Sequence, residues 1–404
     1  MSTNTDHNFG PESSFLVSEL FFSRTDKKGW ILSGNEVFQR VSKYDWSELI
    51  DRPHNLIRHP FMPKGVFHLL WETILEGKPI GAYVINKAKD GSHYWVFALV
   101  APLDDGFLSI RLKPTSEILN HVKNVYSEVL KQEKQKSLKP KESQEVLLGI
   151  LKKLGFESYE DFMTTSLIAE VQKRENSLRG QENPILEKLT RALKHGINLE
   201  KTTEETFEHY KVSQHIPLNL EVQANKGGDE GAPISVVAHQ YENLSNELNR
   251  ELSQFQSAGQ VVQESIRGSQ FLLASFLLQS EMHKEFIIEN SDHINVQEEL
   301  KHLKCVADQG RSKVQEALDQ IKSQLQLFIR VENRVRDLAT ALEMVRVTGK
   351  IEVSKVTKNK KDLEVLLESL LGFREKLQAA LKEIHTNGMD LINLHSEIDR
   401  AVNL

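Results

Sequence analysis

Gly227-Gly228-Asp229-Glu230 is the one string in this chain whose residue types and spacing look like group-transfer chemistry. Paired glycines let a backbone approach a phosphate closely, and adjacent acids can hold Mg²⁺. The upstream stretch here reads as helical, and Gly227, Gly228, Gly231 and Pro233 all break helix locally. The string is therefore expected to be a turn. No phosphate-binding Walker loop, His-Glu-x-x-His zinc helix or nucleophile elbow occurs. No histidine sits in a phosphoacceptor box ahead of an ATP-binding domain. The chain is expected not to be an enzyme. Its lone cysteine, Cys305, excludes an intrachain disulfide and a Cys-rich zinc site, and it is read as a buried or half-buried structural thiol in a heptad-like helix.

The elements that must position any other chemistry come in two kinds. All four tryptophans, Trp30, Trp46, Trp71 and Trp95, lie in the first quarter of the 404 residues. That quarter reads as strands at 20–25, 30–33, 80–86, 93–100 and 107–112, with short helices at 36–41, 47–50 and 64–76 between the second and third. Gly77 is expected to stop the last helix, and Asp90-Gly91 to make a hairpin turn. Beyond residue 115 the chain turns into stretches of Leu, Glu, Lys, Gln and Ser. Apolar residues at 296, 300, 303 and 306, then from 314 to 345, recur at steps of three and four, the seam of a coiled coil. A second seam runs from Leu363 to Ile398. The segment 347–350 is expected to turn the chain between them, and 131–143 to be a basic linker or frayed helix end. Each stripe needs another helix, which implies bundle packing or a homodimer.

The net charge of −6 leaves no basic footprint, so nucleic acid is not an expected partner. The N-terminus has no basic start followed by an apolar run, so no secretion signal is expected. No apolar stretch approaches the ~20 residues of a membrane span, and a cytoplasmic protein is expected.

Pro53-His54-Asn55-Leu56-Ile57-Arg58-His59-Pro60 with Met62-Pro63-Lys64 resembles the PAS domain of bacterial aerotaxis receptors. So do Asn86-Lys87-Ala88-Lys89-Asp90-Gly91-Ser92-His93-Tyr94-Trp95-Val96, Gly34-Asn35-Glu36-Val37-Phe38 and Val41-Ser42-x-Tyr44. The resemblance covers residues 18–115. It implies an α+β PAS fold, a five-stranded antiparallel sheet with short helices, and FAD held without a covalent bond. Carried over by position, the cofactor contacts are Asn35, Arg58, His59 and Asn86, with Trp71 and Trp95 as walls. An amide side chain suits a flavin's mixed donor and acceptor edge, and an arginine suits a diphosphate or a reduced ring. Phe61 stands where the family has an acid, and Ile80-Gly81-Ala82 where it has Trp-x-Gly. Heme through His59 or His68, or no ligand, are the alternatives.

Residues 218–238, around Gln223-Ala224-Asn225-Lys226-Gly227-Gly228-Asp229-Glu230-Gly231, resemble a degenerate chemoreceptor signalling tip. That resemblance implies two helices meeting at a hairpin that binds a histidine kinase and a coupling protein. Gly227-Gly228-Asp229-Glu230 also resembles part of the motif of cyclic-dinucleotide synthases, but Gly231 replaces their aromatic. The expected order is a flexible tail (1–17), the PAS domain (18–115) and connecting helices with the basic linker (116–183). A chemoreceptor-like hairpin (184–290, turn near 225–233) and antiparallel coiled-coil helices (291–404) follow. The helical part is an all-α bundle. The implied function is redox or oxygen sensing relayed to chemotaxis-type partners; the alternative is a cofactor-free PAS scaffold or dimerisation module.

Overall fold

The computed structural model describes residues 10–289 and 293–403. Residues 1–9 of the expected tail, and 290–292 at the expected boundary of the last segment, lie outside the described residues. The chain divides into two compact units that do not follow chain order. One holds the chain up to residue 187 together with 269–314; the other holds 188–268 and 315–404.

The first unit opens with β1 (Phe21–Asp26) and β2 (Ile31–Gly34). Three helices follow: α1 (Glu36–Ser42), α2 (Trp46–Leu49) and, after a 3₁₀ turn at His54–Ile57, α3 (Lys64–Leu75). Asn35 caps α1, its Oδ1 accepting from the backbone N–H of Phe38. Gly77, at φ 78°, takes the left-handed geometry that ends α3. Then come β3 (Ile80–Lys87), β4 (His93–Pro102) and β5 (Gly106–Leu112). The sheet is antiparallel throughout, in the order β2-β1-β5-β4-β3. Gly91, at φ 88°, makes the tight β3–β4 turn.

Side chains alternate across the sheet. Ser23, Thr25, Val84, Asn86, Ala98, Val100, Ser109 and Arg111 face α3. The other face is covered by α4 (Ile118–Lys136) and α6 (Tyr159–Arg179), which follows α5 (Pro140–Lys153). Tyr126 of α4 and Glu170 of α6 receive or donate hydrogen bonds at Tyr83 on this face.

Residues 10–17 are part of the packed domain, unlike the flexible tail expected. His93 exchanges backbone bonds with Pro11 and Ser13, and Phe15 packs edge-on against Phe21 at 5.3 Å. Nor is 131–143 a linker. Lys131 to Lys136 belong to α4, and α5 begins at Pro140. The reason is Glu133, whose buried carboxylate accepts from Lys64 N and Ser143 Oγ and so ties α4, α5 and the start of α3 together.

The second unit is a helical bundle. It contains most of α7 (Pro184–Ser213), α8 (Ile216–Lys226), a 3₁₀ turn at Gly228–Gly231 and most of α9 (Ala232–Phe286). It also contains most of α10 (Val296–Ser354) and all of α11 (Lys360–Asn403). Its core runs through Leu220, Ile234, Tyr241, Phe255, Phe328, Val335, Leu370 and Leu381, with Phe255 and Phe328 stacked at 4.4 Å. The stripes, expected to pack in a bundle or in a homodimer, find helix partners within the chain. The expected turn at 347–350 is helix. Gly349 faces Val237 and Leu367, and a Cβ there would lie 3.0 Å from Val237 Cγ1, so this glycine serves close helix packing. The chain turns instead after Ser354, with Asn359 at φ 56°.

Candidate functional site

Between the sheet and α3 lies a cavity of about 250 Å³. Its walls come from β1, β3, β4 and β5, from α3 and from the 53–58 segment. Arg58 and Asn86 form an antiparallel backbone bridge, which fixes the 53–58 segment against the end of β3.

Polar groups are concentrated at one end. Asn86 is 3% exposed, and among the described residues its Nδ2 has no hydrogen-bond partner. Ser109 Oγ is likewise buried and unpaired. Arg111, 4% exposed, donates from Nη1 to Ser23 Oγ (2.9 Å) and from Nη2 to His54 Nε2 (2.8 Å). Its guanidinium also lies over the rings of Phe21 and Phe38, 5.7 Å from each centroid. Among the described residues no carboxylate pairs with it. Burial pulls its pKa down to about 10, still far above neutrality, so it is a buried cation. An arginine only donates, so His54 Nε2 must be the bare nitrogen and the proton sits on Nδ1. Burial first, and Arg111 second, hold the His54 pKa at about 3.

The six residues expected at the site divide evenly. Arg58, Asn86 and Trp71 line the cavity. Arg58 stacks on Phe67 at 4.0 Å, and Trp71 meets Phe107 edge-on at 5.6 Å. Asn35, His59 and Trp95 do not line it. Asn35 is consumed by structure: Oδ1 accepts from Phe22 N and Phe38 N, while Nδ2 donates to Leu20 O. His59 Nδ1 accepts from Phe61 N, and burial depresses its pKa to about 4. Trp95 lies on the opposite face beside Tyr126, because β4 turns its odd-numbered side chains away from α3. His68, the other histidine offered for heme, bonds Gln144 and lies outside the cavity lining. Arg111 and His54 were missed. The Phe107-Ser109-Arg111 alternation was visible, but polar residues in alternation ordinarily mark a solvated face.

No family model matches the chain. Over 109 residues it is 39% identical to the aerotaxis receptor of Escherichia coli (strain K12), a stretch covering 26% of this chain and 22% of the receptor. The N-terminal domain is a PAS domain of the aerotaxis-receptor type. The nitrogen fixation regulatory protein of Klebsiella pneumoniae is 28% identical over 86 residues, 21% of this chain and 17% of that protein. The matched stretch thus spans about a fifth of each curated relative. A PAS domain from Colwellia psychrerythraea is 22% identical in sequence, covers 24% of this chain and 86% of that chain, and has a TM-score of 0.21. The aerotaxis receptor and the nitrogen fixation regulatory protein support a sensory signalling role for the PAS domain. Among the described residues no helix is long and apolar enough to cross a membrane.

The residues around the cavity fit a flavin ring. They offer an orphaned amide, an unpaired hydroxyl, a buried cation and an aromatic wall. At about 250 Å³ the cavity is slightly below the ~300–1,000 Å³ of drug-sized sites, enough for a ring system and too small for a whole dinucleotide.

The tip-like string forms the expected turn: Gly227 ends α8 and Gly228–Gly231 is the 3₁₀ turn before α9. Gly231 lies against Ala224, where a Cβ would fall 1.8 Å from the carbonyl oxygen. Glu230 accepts from the backbone N–H and hydroxyl of Thr357, at 3.0 and 2.9 Å. The acid that resembled a metal ligand is thereby fastening this turn to the one between α10 and α11.

Proposed function

We propose that this chain is a non-enzymatic, cytoplasmic sensor whose PAS domain holds FAD and reads redox or oxygen-linked state. What carries the reading is the buried Asn86 amide, without a partner at Nδ2, beside the uncompensated cation of Arg111 in one cavity. Flavin, when bound, supplies reversible two-electron redox chemistry. Asn86 and Ser109 would meet the ring's donor–acceptor edge, and Trp71 would cover one side. Arg111 would stabilise negative charge that builds up there on reduction. Arg58, stacked on Phe67, is placed to meet the diphosphate.

The long helices would relay the change to a chemotaxis-type histidine kinase and coupling protein through the turn at 219–238, acting as a homodimer. A population shift between two helix packings is the natural form of such a relay. The alternative, a cofactor-free PAS scaffold, draws on the engagement of Asn35, His59 and Trp95 in structural contacts.

The absorbance spectrum of the purified full chain separates the two. Flavin bands that diminish in Asn86→Ala support sensing. In Arg111→Gln the midpoint potential should fall by about 30–60 mV, since a charge-assisted bond is worth ~1.5–3 kcal/mol. Protein that neither carries nor takes up flavin on reconstitution would sink the redox reading and leave the scaffold.

A further inference from the structure

A second cavity, of about 450 Å³, lies within the first unit between the β4–β5 loop and the α9 and α10 segments. It is larger than the sheet cavity and falls within the usual ~300–1,000 Å³ of ligand sites. Ser275 and Gln279 line it, one helical turn apart on one face of α9. They are 4% and 5% exposed, yet among the described residues Ser275 Oγ and Gln279 Oε1 have no hydrogen-bond partner. Serines within a helix commonly bond the carbonyl four residues back, and Ser253 and Ser257 of the same helix do so. Ser275 does not. On the facing helix Gly310 leaves room for the amide: a Cβ there would lie 2.5 Å from Gln279 Oε1. Leu272, Val306 and Ala101 give the cavity apolar walls. Asp104 and Lys313 bring opposite charges to the lining, and Asp105 is paired with Arg24.

We infer that this cavity is a binding site for a small, uncharged, planar molecule with a carboxamide or lactam edge. A glutamine amide presents a donor and an acceptor side by side in one plane, so its complement is another coplanar donor–acceptor pair. The Ser275 hydroxyl supplies the third polar contact. Balanced lining charge selects against an ionic ligand, and the apolar walls favour a ring.

Cys305 is the chain's sole cysteine, is exposed and lines this cavity, so its alkylation reports occupancy. The rate of iodoacetamide labelling is measured on the full chain with nicotinamide, uracil or, as a charged control, nicotinate. Nicotinamide or uracil should slow labelling saturably, by about tenfold at ten times the dissociation constant; nicotinate should not. Gly310→Ala places a good helix former on α10 and displaces the Gln279 amide. It should abolish protection with an unchanged circular dichroism spectrum. Gln279→Leu is the second variant, with the same expected loss. Absence of protection by both neutral probes would mean that the amide is served by water alone and would overturn the inference. Undiminished protection in both variants would overturn it too.

Discussion

Arg111 donates from Nη2 to Nε2 of His54 across 2.8 Å, which fixes the imidazole as its Nδ1–H tautomer and keeps it neutral. A neighbouring cation and burial both oppose a second proton. His59, buried with Nδ1 accepting from Phe61, is also held neutral.

Their titration sets an acid limit on the PAS domain. The ordinary histidine pKa is 6.5, but the folded values are about 3 for His54 and about 4 for His59. Between those values and 6.5 the unfolded chain binds more protons, so this stabilisation is present above pH 6.5 and is lost as pH falls. Each group contributes a slope of up to about 1.4 kcal/mol per pH unit. Urea unfolding followed by tryptophan fluorescence checks this, since all four tryptophans lie in the first quarter of the chain. His59→Gln should flatten the slope; an unchanged slope would show that His59 titrates normally in the fold.

Sequence patterns made the sheet legible and the site only half so. The five strands were readable because each bears apolar residues between turn formers such as Asp90-Gly91. Asn86 and Arg58, which sit in recognisable blocks, line the cavity as expected of them, whereas Arg111, which lines it too, was hidden among β5 residues in ordinary alternation. Asn35 and His59 have the right chemistry but spend it on backbone groups nearby, which spacing alone does not reveal. The long helices were legible by period. Their turns were not, because Gly349 looks like a breaker yet serves contact with Val237, while the real turn after Ser354 lacks a glycine.

Arg24 on β1 points away from the cavity and meets Glu299 of α10, Nε donating to both oxygens at 3.2 and 3.0 Å. Both side chains are more than nine-tenths buried, and the neighbouring Asp105 is exposed. Removing one member of such a pair typically costs ~3–5 kcal/mol because the other charge is stranded. Glu299→Ala should therefore lower stability by about 3 kcal/mol, the low end, since Asp105 still serves Arg24. Replacing both, as Arg24→Met with Glu299→Leu, should recover most of the loss. A single-variant cost below ~1 kcal/mol in urea unfolding would place the pair among ordinary surface bridges.

The turn between α8 and α9 tests two different uses of glycine. Gly231 is wedged against the Ala224 carbonyl, so Ala there forces backbone apart, at about 3 kcal/mol. Gly228 has open space but a φ of +62°, so Ala costs only ~1–2 kcal/mol and Asn less. Thermal unfolding by circular dichroism should rank Gly231→Ala well below Gly228→Ala. The reverse order would mean that the turn does not pack on Ala224.

Glu285 of α9 supplies the opposite pH response. Burial, then Glu281 four residues before it, raise its pKa to about 7, against the opposing pull of Arg174 on α6 and a hydrogen bond from the Leu20 backbone. Glu19 adds a further negative neighbour. The folded state therefore binds more protons than the unfolded state between pH 4.5 and about 7. Stability from this group is complete below pH 4.5 and declines as pH rises through 7. Between 4.5 and 6.5 it works against the two histidines; from 6.5 upward its decline stands unopposed by them. The side chain is partly exposed, so the amplitude is set by screening as well as burial. Glu285→Gln removes the charge while keeping the shape, and should raise the unfolding midpoint at pH 8 but not at pH 5. A variant that gains nothing at pH 8 would mean that Arg174 already compensates the carboxylate in full.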